Sequence, residues 1–213
     1  MTDLLTYERV QEHLTGLIPV RPPEMLAMEA HAHETGFPII GPAAGYACYQ
    51  IARMIGARRV FELGSGYGYS TAWFARAVQE NGGGVVHHVV WDGELSSRAS
   101  GHLAALGYGD IVRYTVGEAV DALRETAGPF DLVFNDIDKP GYPASLPVIA
   151  DKLRPGGVLL IDNLLRGGRI FDSADMSAAT EAVRLTTRVL TSSPDWITTI
   201  VPVRDGIGVA LRA

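Results

Sequence analysis

Short runs of apolar residues alternate along this chain with longer stretches in which apolar side chains recur every three or four positions. From residue 59 onward, "RVFEL", "VVHHVVW", "IVRYTV", "DLVFND" and "GVLLID" read as strands, while 70–79, 94–106, 118–127, 143–153 and 174–191 read as helices. That alternation predicts βαβ units and a parallel sheet covered on both faces. Ahead of it, Tyr7, Val10, Leu14 and Leu17 share helical spacing. "RPPEMLAMEAHAHETG" follows as a second helix with prolines in its first turn and Gly36 as its stop, and "GPAAGYACYQIARMIG" is a third, opened by Pro42 and closed by Gly56. At the far end only "RDG" separates "WITTIVPV" from "GIGVALR", and Asp-Gly is a strong hairpin signal. The expected architecture is α/β: a seven-stranded, mostly parallel open sheet with an antiparallel C-terminal hairpin and helices on both faces.

The chain of 213 residues is 47% apolar, which fits one core and a single domain spanning residues 1–213. A formal charge of -6 without a Lys/Arg-rich block argues against nucleic acid as a partner. No apolar run approaches the roughly 18 residues of a membrane span. "MTDLLTYERV" carries an acid where a secretory leader has basic residues, so a cytoplasmic protein without membrane contact is expected. The lone Cys48 cannot form an internal disulfide, in keeping with a reducing compartment, and its helical setting reads as a small buried hydrophobe.

After the first strand comes "ELGSGYGYS", with Gly64, Gly66 and Gly68 on alternate positions. Glycines there let the backbone turn sharply and let a ligand approach it closely. The dinucleotide fingerprint is G-x-G-x-x-G, whereas this spacing is G-x-G-x-G with Glu62 ahead of it. A carboxylate at the end of a buried strand is costly unless a donor or cation meets it. The ammonium of an amino-acid tail would do so, which suits S-adenosyl-L-methionine, a nucleoside without a pyrophosphate. The simpler reading leaves a tight turn with Glu62 bonded to backbone amides.

Two later strands end in charge, "FNDIDKPGY" at Asp136 and "GGVLLIDN" at Asp162 and Asn163. In open α/β sheets ligands sit beyond the carboxyl ends of the strands. If these strands are neighbours their backbones lie about 4.8 Å apart, and two carboxylates so close repel unless one is protonated or a cation lies between them. Three hard oxygen donors suit magnesium, calcium or manganese rather than zinc. Consecutive strand residues face opposite ways, so Asp162 and Asn163 share an ion only if the strand ends there. Lys139 stands near as a base, its ordinary pKa of about 10.4 lowered by an adjacent divalent charge. The competing reading makes Asp136 and Asp138 helix caps, Lys139 a solvated loop residue and Asp162-Asn163 a turn.

"FELGSGYGYSTAWFA", "FNDIDKPGY" and "LRPGGVLLIDNLLRGGR" together resemble the motifs of the cation-dependent S-adenosylmethionine O-methyltransferases, the catechol and caffeoyl-CoA O-methyltransferases and their small bacterial relatives. The similarity runs from about residue 8 to the C-terminus. It implies a Rossmann-like methyltransferase sheet, with the N-terminal helices of residues 1–56 covering the site. It also implies metal ligands at Asp136, Asp162 and Asn163, a catalytic base at Lys139, and cofactor contacts at Glu62, Gly64, Ser65, Gly66, Ser70 and Asp136. An adenine pocket is implied near Gly117, Glu118 and Ala119, as are a hydroxylated, catechol-like aromatic acceptor and a homodimer. Two positions depart from the family pattern. Val90 stands where a carboxylate normally meets the ribose, which leaves Asp92 or Glu94 to supply that contact, and Asp92 is the choice. Arg166 replaces a tryptophan of the acceptor pocket and suggests an anionic acceptor.

Other residues carry less. His31 and His33 are two apart in a helix and His87 and His88 adjacent in a strand, so neither pair shares a face. Trp73 and Phe74 read as packing, and Trp91 either borders the adenine or fills the core. The alternatives are a metal-independent or nitrogen-directed methyltransferase of the same fold, or a nucleoside-binding regulatory protein without chemistry. An oxidoreductase fits the glycine spacing least.

Overall fold

The structure, a computed structural model, describes residues 6–213. Residues 1–5, where the leader argument begins and the expected domain starts, lie outside the described residues. Three helices come first, α1 (Tyr7–Gly16), α2 (Pro23–Thr35) and α3 (Gly41–Met54). The alternating part follows as β1 (Arg59–Leu63), α4 (Tyr69–Glu80), β2 (Val85–Val90), α5 (Gly93–Ala105), β3 (Val112–Val116), α6 (Ala119–Glu125), β4 (Phe130–Asn135), α7 (Tyr142–Lys152) and β5 (Leu153–Ile161). It closes with α8 (Ala178–Ser192), β6 (Trp196–Val201) and β7 (Ile207–Arg212).

Capping chemistry explains where the helices depart from the ranges expected of them. Glu118 lies outside α6 and its side chain accepts from Asp121 N–H, so the helix starts one residue late. Ser177 plays the same part for α8, accepting from Thr180 N–H. The stretch before it is a run of Asx turns, with Asp172 accepting from Ala174 N–H and Asp175 from Ser177 N–H, which turned an expected start at 174 into Ala178. Gly36 ends α2 in the left-handed region at φ 70°, the stop that its position suggested.

Among the described residues the seven strands form one sheet of order β3-β2-β1-β4-β5-β7-β6. The first five are parallel, and β7 runs antiparallel to both β5 and β6. The reversed strand is therefore the last, inserted between β5 and β6. Side chains alternate between two cores. Val60, Leu132, Phe134, Val158 and Leu160 pack under α3 and α4, while Phe61, Leu63, Val133, Leu159 and Ile161 face α7 and α8. Cys48 belongs to the first core, where burial pushes its thiol well up and leaves it a small hydrophobe. Among the described residues no helix is long and apolar enough to cross a membrane.

Two tyrosines of the glycine turn tie the N-terminal helices to the sheet. Tyr67 donates to the Met28 carbonyl at 2.9 Å, and Tyr69 donates to Glu29 Oε1 at 2.7 Å. Glu29 also pairs with Arg21 at 2.8 Å, so α2 is latched to the start of α4. On the same side α3 crosses α4 at Gly45, where an added Cβ would lie 2.2 Å from Trp73 Nε1. Gly45→Ala should thus lose about 1–3 kcal/mol of stability through overpacking, although alanine favours an isolated helix by about 1 kcal/mol. Urea denaturation decides the sign, and a neutral or stabilised variant would show that α3 and α4 are not in close contact.

Candidate active site

The central strands all end at one edge of the sheet, and backbone hydrogen bonds carry the ladder one residue past them. Asp136 N–H donates to the Leu63 carbonyl at 2.9 Å, and Asp162 N–H to the Asn135 carbonyl at 3.2 Å. The glycine turn after β1, the acidic end of β4 and the acidic end of β5 are consequently neighbours. Strand order reverses between β1 and β4, the switch point at which α/β sheets open a crevice. A cavity of about 260 Å³ lies there, lined by Gly64, Ser65, Gly66 and Ser70 on one side and by Asp136, Lys139, Asp162 and Asn163 on the other. Phe37 to Ile40, the link between α2 and α3, also line it.

Gly64, Gly66 and Gly68 all have positive φ, at 84°, 51° and 94°. At Gly64 the requirement is double, because a Cβ would also lie 2.6 Å from the Asp136 carbonyl oxygen. Ser65 pins the turn to β2, its N–H donating to the Val89 carbonyl and its Oγ accepting from Val89 N–H, both at 2.9 Å.

Glu62 sits beneath this turn and is fully buried, outside the cavity lining. Thr71 donates to its Oε2 at 2.5 Å, while its Oε1 has no partner. His88 Nδ1 lies 3.1 Å from the same threonine hydroxyl, and burial lowers the imidazole to about 4, so the ring is neutral at pH 7. Burial lifts Glu62 from 4.5 to about 7 against the pull of the Ser70, Thr71 and Ser65 hydroxyls.

Asp136 pairs with Lys139 at 2.8 Å, and Asp162 pairs with Arg204 at 3.0 Å. Burial pushes Asp162 up, and the Asp136 charge beside it adds to the rise against Arg204; burial likewise raises Asp136, opposed chiefly by Lys139. The strand ends where sharing an ion requires it to end, since β5 stops at Ile161 and Asn163 is turned into the left-handed region at φ 61°. Asn163 Nδ2 donates to Asp205 Oδ2 at 3.1 Å, which fixes the amide and leaves its oxygen as the acceptor. Two carboxylates and one amide oxygen are a hard donor set of the kind that holds magnesium, calcium or manganese. Among the described residues no group of three or more His, Cys, Asp and Glu side chains is placed to hold an ion.

Other candidates lie elsewhere on this edge. Asp92 caps α5, its Oδ1 accepting from Glu94 and Leu95 N–H. Gly117, Glu118 and Ala119 follow β3, with Gly117 N–H donating to the Val90 carbonyl at 3.0 Å, and none of them lines the 260 Å³ cavity. Trp91 is 69% exposed, which overturns its reading as core filler: β2 ends before it and the ring lies at the surface. Trp73 and Phe74 are buried packing as expected. His87 stacks on Phe61, and His88 lies in the sheet interior.

The arginine that reaches the cavity is Arg204, while Arg166 lines neither this cavity nor the larger one beside it. Arg204 and Asp205 carried no functional weight in the sequence because "RDG" reads first as a hairpin turn. Phe37 to Ile40 gave no signal either, being an apolar link between two helices.

A family model described as a methyltransferase domain matches residues 61–164. The catechol O-methyltransferase of Niastella koreensis is 30% identical, the alignment covering 96% of each chain. That of Mycobacterium tuberculosis is 38% identical over 63% of this chain and 60% of its own. The chain belongs to the S-adenosylmethionine-dependent O-methyltransferases of the small bacterial type. Among solved structures, the O-methyltransferase TomG of Streptomyces achromogenes, involved in tomaymycin synthesis and crystallised with S-adenosylmethionine, is 28% identical. Its TM-score is 0.86, with 99% of this chain and 100% of TomG covered. Every strand of this O-methyltransferase thus lies within a fold shared along its length with an enzyme of the same chemistry.

Glu62 generates a pH prediction. An acid whose folded pKa of about 7 exceeds its ordinary 4.5 keeps its proton longer when folded, so its contribution to stability is complete at low pH and declines as pH rises between those values. Glu62→Gln should abolish that decline and be more stable than wild type by about 3 kcal/mol at pH 8, with little difference near pH 4. Chemical denaturation of both proteins across pH tests it. Parallel profiles would mean that Glu62 is ionised at no cost.

Proposed function

We propose that this O-methyltransferase transfers the methyl group of S-adenosylmethionine to a hydroxyl of a small, catechol-like aromatic, assisted by a divalent cation, magnesium above all. The observation that carries this reading is the meeting of Asp136, Asp162, Asn163 and Lys139 on the cavity wall opposite the glycine turn. The names of the curated relatives supply the substrate class.

The donor's amino-acid end fits the turn, where Gly64, Ser65 and Gly66 present backbone and Ser70 a hydroxyl. Its nucleoside end would run along the strand ends toward Asp92, Gly117, Glu118 and Ala119. Asp92 Oδ2 is left over from helix capping and can accept from a ribose hydroxyl. Asp136, Asp162 and the Asn163 amide oxygen would hold the cation, whose charge would acidify an acceptor hydroxyl. Lys139 takes the proton from that hydroxyl, and Asp136, 2.8 Å away, orients the amine. The oxygen then attacks the methyl carbon in line, the carbon–sulfur bond breaks, and the thioether product departs with the bonding pair. A homodimer in the cytoplasm is the setting that the family resemblance and the single buried thiol support.

A metal-independent reaction is the second reading, favoured by the guanidinium of Arg204 already opposing the charge of Asp162. Exhaustive chelation separates the two. Activity toward catechol should vanish and return with added magnesium, whereas wild-type turnover in the chelated protein would establish the second reading. Asp162→Ala should likewise lose cation binding by calorimetry while donor affinity stays within about fivefold; unchanged cation binding would remove Asp162 from the ligand set. Lys139→Ala should lower kcat roughly 100-fold at neutral pH and less at alkaline pH, where the acceptor ionises unaided. A constant ratio across pH would reduce Lys139 to a positioning group.

A further inference from the structure

The carboxylate pair already faces a fixed positive charge. Arg204 opens the turn between β6 and β7 with φ 51°, a conformation that costs a non-glycine residue about 1 kcal/mol or more. Its backbone is held there from a distant part of the chain, its N–H donating to Gln11 Oε1 of α1 at 2.6 Å. The strained backbone aims the side chain at the strand ends, where Nη1 donates to Asp162 Oδ2 at 3.0 Å. The other oxygen of Asp162 accepts from Asn163 N–H at 2.8 Å. Both oxygens of the most buried candidate ligand therefore have protein partners, and one partner is a cation.

Arg204 also stands on a boundary. The 260 Å³ cavity adjoins a second of about 490 Å³ between α1 and the start of α3, and Ile40 and Arg204 line both. The second cavity contains Tyr7 and Gln11, and among the described residues that line it Asp205 is the one carboxylate and Arg204 the one basic side chain. A guanidinium at 34% exposure on a flexible stem has somewhere to go on that side.

We infer that Arg204 is a tethered competitor for the divalent cation: it occupies Asp162 while the ion is absent and must withdraw toward the Asp205 side for the ion to bind. Like charges crowded on one carboxylate repel, and a guanidinium held by a strained backbone does not diffuse away, so the ion always binds against it. The arginine then sets cation affinity without serving as a ligand, and its displaced position places a positive charge at the wall of the second cavity. The inference rests on the proposed cation site.

Manganese binding measured by electron paramagnetic resonance of the free ion tests it, on purified protein with and without saturating S-adenosylmethionine. Arg204→Gly suits the positive φ, Arg204→Gln keeps bulk without charge, and Arg204→Lys restores charge. The glycine and glutamine variants should bind manganese about tenfold or more tightly than wild type, a typical effect of one charge at this range, with the lysine variant near wild type. Binding by the two uncharged variants alone would support the inference at its limit, with Arg204 excluding the ion from the wild-type site, and would count against the cation-assisted reading. If wild type binds the ion and both uncharged variants, folded by circular dichroism, bind it no more tightly, this inference falls and the cation site stands. If no variant binds it, both fall.

Discussion

Everything at the site follows from a backbone constraint. In a parallel sheet the strands deliver their carboxyl ends to one edge, and here the ladder between β1, β4 and β5 runs on for one residue, through Asp136 N–H to the Leu63 carbonyl and Asp162 N–H to the Asn135 carbonyl. Those two bonds bring the glycine turn, Asp136 and Asp162 side by side before any side-chain contact is considered. Close approach is then enforced by sterics, because the Gly64 position has room for hydrogen and no more against the Asp136 carbonyl.

Placing carboxylates where water is scarce creates an electrostatic demand that the surrounding elements meet from different directions. Lys139 answers Asp136 from its own loop, and Arg204 answers Asp162 from the hairpin. Glu62 is met only by hydroxyls and keeps one oxygen without a partner, so it is the most strongly desolvated acid of the group. A site of this kind is poised for cations, whether an ammonium, a guanidinium or a metal ion, because each offsets a desolvation cost the fold has already incurred. The chemistry of methyl transfer fits such surroundings, since the donor is a sulfonium and the reacting oxygen must be made anionic.

The N-terminal helices depend on the same edge. Tyr67 and Tyr69 line the cavity beside the glycine turn, and their hydroxyls are held by α2, one by the Met28 carbonyl and the other by Glu29. Gln11 reaches the turn that carries Arg204, donating to the Pro202 carbonyl and accepting from Arg204 N–H. The cover and the cation-bearing turn are thus joined, so that a change in one is felt by the other.

Much of this was legible in the linear pattern for a physical reason: periods of two and of three to four residues are local properties, and so are a glycine turn and an acid at the end of an apolar run. The strands, the reversed final hairpin, the crevice-facing glycines and the acidic ends could be read that way. What neutralises Asp162 could not. Arg204 lies 42 residues from Asp162, and the two meet only because β7 inserts between β5 and β6 and brings its turn over the end of β5. Trp91 stood between two readings for the same reason, since a large apolar ring can pass for core until the sheet shows that its strand has already ended. Pattern decides which residues are placed at an edge; only the order of strands decides which charges they find there.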